Sequence, residues 1–152
     1  MNGNECRSAR SASQQMMLMQ PVPACCYVSL DIQVEDAKQA GVILQVDEQM
    51  KEGYYLYLEP ERRRLVYRSW LRMSEDGGKT FPYDVELETP VRIVANGCYR
   101  LEILLEDGVA AAYVNDEAAL SFRMYDYRDW KFGLFSFGSA VFRDVCVKER
   151  KY

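Results

Sequence analysis

Asp84, Glu86 and Glu88 alternate with Val85 and Leu87, a spacing that on a strand sets carboxylates at i and i+2 on one face. Two carboxyls about 5 to 5.5 Å apart suit a retaining glycosidase, and about 6.5 to 9.5 Å an inverting one. The triplet therefore offers paired-carboxylate chemistry. A solvated strand face explains it more simply, because no adjoining apolar run buries one acid and raises its pKa for acid catalysis. The chain has no histidine. That removes Ser-His-Asp and Cys-His nucleophile systems and any zinc site with His ligands.

Saccharide recognition is the other chemistry the residue types allow. A sugar face stacks on an exposed aromatic ring, and neighbouring Asn, Asp or Arg groups satisfy the hydroxyls. Trp70 ends an apolar run before a charged stretch, Tyr83 follows Gly77, Gly78 and Pro82, and Trp130 lies in the connection from Tyr125 to Lys131. These three rings are candidate platforms, with core packing the simpler use of Trp70 and Trp130. Asn115 and Arg123 are the candidate polar partners. Asn115-Asp116 equally supplies turn geometry, and Arg123 equally supplies a cross-strand ion pair to Glu102 or Glu106. In Tyr54 to Glu59, Tyr55 and Tyr57 share a face with Glu59 while Tyr54 faces with Leu56 and Leu58, and the Tyr55–Tyr57 face is expected to be the more exposed.

Charge and cysteine usage narrow the partners. Lys and Arg total 19 against 23 acids, a net charge of −4, and the basic residues are interleaved with acids. Nucleic acid is not expected as a partner, since phosphate neutralisation needs a concentrated basic face. Arg62, Arg63 and Arg64 follow Pro60 beside Glu59 and Glu61, which reads as a solvated hairpin tip. Five cysteines without a Cys-x-x-Cys pair point to free thiols in a reducing compartment, so the expected location is cytoplasmic. The apolar patch Met16 to Met19 is too short for a signal core or a membrane span. Asp76-Gly77-Gly78 and Asp126 to Asp129 are too sparse for calcium, and no metal or cofactor is expected.

Those side chains must be positioned by strands. Tyr99, Leu101, Ile103 and Leu105 alternate with Arg100, Glu102 and Glu106, and Asp107-Gly108 then turns the chain into Val109 to Val114. Asn115-Asp116 turns it again into Ala118 to Met124. Further strands are expected from Tyr27 to Glu35, Gly41 to Asp47, Tyr54 to Glu59, Arg64 to Trp70, Tyr83 to Thr89, Val91 to Val94, Phe132 to Phe137 and Val141 to Lys148. With about ten short strands and no convincing helix, the chain is all-β, an antiparallel β-sandwich of jelly-roll, concanavalin A-like type. Residues 1–26 carry no sustained period and read as a flexible leader or linker, leaving 27–152 as the sandwich.

Over residues 27–149 the order of elements resembles the C-terminal β-sandwich module of family 32 glycoside hydrolases, the invertase, levanase and inulinase family. The residues that carry the resemblance are the strand Leu101 to Leu105, the hairpin Glu106 to Tyr113, then Val114-Asn115-Asp116, and a strand ending Arg123-Met124-Tyr125. Gly41 to Leu44 resembles the module's glycine-led strand, and Tyr57 to Ser69 its hairpin ending in Arg-Ser. Asp107-Gly108 stands where that family has Arg-Ser, and Ala111 where it has Glu. The family's catalytic motifs belong to a separate propeller. Arg128-Asp129 is followed by Trp130 rather than Pro, and Glu5-Cys6 lies in the leader, so no catalytic residue carries over. The resemblance implies a non-catalytic module that supports or extends a sucrose- or fructan-acting enzyme, with a carbohydrate or a glycosidase catalytic domain as partner. A glycosidase using the paired carboxylates and a purely structural interaction domain remain the alternatives.

Overall fold

The computed structural model describes residues 5–7, 14–46, 53–70, 86–124 and 131–151. Among them run twelve strands: β1 (Glu5–Arg7), β2 (Gln14–Pro21), β3 (Cys25–Val34), β4 (Gln39–Leu44), β5 (Gly53–Glu59), β6 (Arg64–Trp70), β7 (Glu86–Pro90), β8 (Cys98–Glu106), β9 (Val109–Val114), β10 (Ala118–Arg123), β11 (Lys131–Phe137) and β12 (Ala140–Glu149). They form two antiparallel six-stranded sheets. Sheet I has the order β1-β12-β3-β8-β9-β10, and sheet II the order β2-β11-β4-β5-β6-β7. This is the expected all-β sandwich.

The period-2 pattern builds the core between the sheets. Val28, Leu30 and Ile32 of β3 and Leu101, Ile103 and Leu105 of β8 face inward from sheet I, and Val42, Leu44, Leu56, Leu58, Leu65 and Leu134 face them from sheet II. A ladder of rings crosses the gap. Tyr54 stacks on Tyr67 at 5.9 Å, and Tyr67 stacks on Phe122 of the opposite sheet at 4.1 Å.

Both hairpin turns of the β8–β10 meander form as their residue types require. Asp107 and Gly108 take φ of 44° and 85°, and Asn115 and Asp116 take 52° and 55°, the paired positive values of a turn matched to strand twist. Gly41 answers a different need. A Cβ there would lie 2.0 Å from the Leu56 carbonyl oxygen, so only glycine admits the close approach of β4 to β5.

Three expectations are corrected. Residues 1–26 are not simply a leader, because β1 pairs with β12 and β2 pairs with β11, each adding the outermost strand to one side of its sheet. Val91 to Val94 form no strand and instead link β7 to β8, with the Val91 amide donating to the Arg63 carbonyl at 2.8 Å. Tyr55 and Tyr57 are buried, at 8% and 4% exposure. Their rings meet Phe135 edge-on at 5.0 and 5.8 Å, forming a small second apolar cluster with Ile43, Val46 and Val66 on the outer face of sheet II.

Candidate functional site

Beside that second cluster, a polar line crosses four strands of sheet II. Its origin is the connection between β5 and β6. Pro60 starts a short 3-10 turn whose fixed φ suits a first position. Arg63, at φ 54° with its amide on the Pro60 carbonyl at 3.1 Å, closes it. The four-residue loop sets Glu59 and Arg64 directly opposite each other, both on the outer face.

Glu59 is buried, at 7% exposure, and its carboxylate is fully engaged. Arg64 Nε donates to Oε2 at 3.0 Å, Gln39 Nε2 donates to Oε1 at 3.2 Å, and Arg62 Nε approaches Oε2 at 3.6 Å. Arg64 also donates to Glu88 of β7. Its hydrogen bonds, first to Glu59 and then to Glu88, hold its guanidinium even more firmly charged than an ordinary arginine, with burial opposing them. Gln39, Glu59, Arg64 and Glu88 thus tie β4, β5, β6 and β7 together. Gln39, Glu59 and Arg64 line an open depression of about 520 Å³ together with Lys38, Tyr57, Glu61, Arg62 and Arg68.

Such a lining suits recognition of hydroxyls. The carboxylates accept, the guanidinium and ammonium donate, and the Gln39 amide does both. Mutual ion pairing fixes their orientation before a ligand arrives, so little ordering cost falls on binding.

The structure scatters the sequence-predicted residues. Asn115 lies in the β9–β10 turn, where its Oδ1 accepts the Arg100 amide at 2.8 Å and its own amide donates to the Arg100 carbonyl at 3.0 Å. It is a structural turn residue outside the depression. Arg123 ends β10 opposite Val109, and its carbonyl accepts the Tyr67 hydroxyl at 3.1 Å. β9 separates it from β8, where Glu102 is met by Tyr27 and Arg100, and Glu106 by Arg150 at 3.9 Å. Trp70 ends β6 opposite Gly53. Tyr83, Asp84 and Trp130 lie outside the described residues. Of the carboxylate triplet, Glu86 opens β7 opposite Arg68, and Glu88 joins the Arg64 line.

Gln39, Glu59 and Arg64 were missed by sequence reasoning. Their signal was present: a Glu and an Arg bracketing a four-residue loop begun by Pro must pair across a hairpin. The arginine run was treated as one solvated tip. Arg62 fits that description at 72% side-chain exposure, whereas Arg64 is at 18%.

Two facing antiparallel six-stranded sheets define an antiparallel β-sandwich, a fold that solved carbohydrate-binding modules and the C-terminal domains of fructan-acting enzymes share. The carbohydrate binding module CBM66 from Bacillus subtilis superposes with a TM-score of 0.73 at 19% identity, covering 97% of this chain and 92% of that one. A fructosyltransferase from A. japonicus superposes at 0.71 and 19% identity over 99% of this chain, which spans only 27% of that enzyme's length. The galectin LEC-6 of Caenorhabditis elegans follows at 0.61 and 13% identity, with coverage of 92% and 95%. No protein-family model and no curated protein matches the sequence. At these identities the likeness is one of fold.

Proposed function

We propose that this chain is a non-catalytic saccharide-binding sandwich that supports or extends a sucrose- or fructan-acting hydrolase, and that the Glu59–Arg64 depression is its sugar site. The observation that carries this reading is the buried Glu59 carboxylate, held by Gln39, Arg62 and Arg64 in the lining of an open polar hollow. Burying a charge is costly, and the network that holds Glu59 also fixes the orientation of the polar groups that line the depression. The sucrose and fructan preference draws on neighbours whose names denote a carbohydrate binding module and a fructosyltransferase. The five cysteines, all free thiols, support a cytoplasmic setting.

Isothermal titration calorimetry against sucrose, inulin and levan tests the reading, with Arg64→Lys as the site variant. Lysine keeps the charge and loses the planar fork, so affinity should fall about tenfold or more. Absence of heat with all three sugars would sink the proposal. Unchanged affinity in Arg64→Lys would move the site elsewhere.

A further inference from the structure

The outer face of sheet I, turned away from both the core and the Glu59–Arg64 depression, has an organisation of its own. Register places Tyr27, Leu104, Ala111 and Ser121 in one row across β3, β8, β9 and β10, and Ser29, Glu102, Tyr113 and Ala119 in the next. Tyr113 is 37% exposed. Its neighbour across the ladder on β10, Ala119, and its neighbour two residues back, Ala111, are too short to cover the ring. One strand away, Glu102 accepts the Tyr27 hydroxyl. Arg100 Nη1 donates to Asp31 at 3.1 Å, and its Nε lies 3.9 Å from Glu102.

We infer that this face is a second saccharide contact, which lays an extended neutral polysaccharide against the Tyr113 ring and the Tyr27–Glu102–Arg100–Asp31 cluster. An open ring beside pre-oriented donors and acceptors is what stacking on a sugar face and bonding of its hydroxyls require. Strands about 4.8 Å apart and residues about 3.4 Å apart place Tyr27 and Tyr113 roughly 12 Å from each other. That span, on a sheet face, fits several consecutive sugar units better than a single chain end. The charges favour a neutral ligand, since Asp31 and Glu102 are met by Arg100 and Glu106 by Arg150 at 3.9 Å. The inference shares its ligand class with the proposed function but uses different residues on a different sheet.

Retention on insoluble inulin and on crystalline cellulose, measured beside calorimetry with a soluble fructo-oligosaccharide, tests it. Tyr113→Ala and Tyr113→Thr, the latter keeping a strong strand former, should each bind the preferred solid about tenfold more weakly while leaving the calorimetric affinity unchanged. Tyr113→Phe should bind the solid nearly as the parent protein does. Undiminished retention of the alanine and threonine variants overturns the second contact, even where the soluble sugar still binds. A parent protein retained by neither solid also overturns it. If the soluble sugar gives no heat either, the reading of the depression falls as well.

Discussion

Tyr67 on β6 stacks on Phe122 of β10 with ring centroids 4.1 Å apart, and its hydroxyl reaches past that ring to donate to the Arg123 carbonyl at 3.1 Å. One side chain therefore joins the two sheets twice, through ring contact and through the backbone. The two contributions separate by mutation. Tyr67→Phe keeps the stack and should lower stability by about 1 kcal/mol, the net worth of an ordinary hydrogen bond. Phe122→Ala removes the ring and leaves a cavity, and should lower it by about 3 to 5 kcal/mol. Urea midpoints at constant m-value provide the check, and equal losses in the two variants would contradict this division.

Arg64 and Glu59 predict an asymmetry. Arg64→Ala leaves a buried carboxylate with weaker partners and should destabilise the fold by about 3 kcal/mol. Glu59→Gln keeps an acceptor for Arg64 and should cost about 1 kcal/mol. Thermal unfolding of both variants decides the matter, and a harmless Arg64→Ala would mean that the pair behaves as an exposed one.

Cys26 should make the protein sensitive to alkali. Burial, with a smaller contribution from neighbouring Cys25, pushes its thiol up to about 11. The folded state then keeps a proton that the unfolded state releases above pH 9. The associated stability is complete below pH 9 and is lost as pH rises toward 11, by about 2 kcal/mol at pH 10.5. Urea titrations at pH 8 and pH 10.5 should show this decline in the parent protein and a shallower one in Cys26→Ala. Identical slopes would count against the assignment.

Asn115 should matter to stability and not to sugar. Asn115→Ala loses the bond to the Arg100 amide and places an alanine at φ 52°, for an expected loss of about 1 to 2 kcal/mol. Asn115→Gly relieves the strain and should recover part of it. Saccharide affinity should stay within twofold in both. A tenfold fall in affinity for a folded Asn115→Gly would restore this residue to the binding surface.

The strands of the β8–β10 meander were legible because their causes are local. Asp107-Gly108 and Asn115-Asp116 tolerate positive φ, and Leu101 to Leu105 alternate with charged residues. Tyr55 and Tyr57 were misplaced because alternation says which residues share a face, not whether that face is covered. Their burial depends on Phe135, some eighty residues further along the chain. The edge strands β1 and β2 lack a period of their own, since each takes its order from the strand it pairs with.

The candidate site divides along the same line. The sequence alone determined that Glu59 and Arg64 bracket a turn, that Asn115 suits a hairpin, and that histidine chemistry is absent, because residue type and short spacing decide such matters. Only the tertiary structure decided that Gln39 and Glu88 complete the Glu59–Arg64 line and that Arg64 is largely covered on the outer face while Arg62 stays exposed. Strand order in sheet II brings β4 and β7 to the two sides of the β5–β6 hairpin, and side-chain packing across nonlocal strands decides which charges are buried.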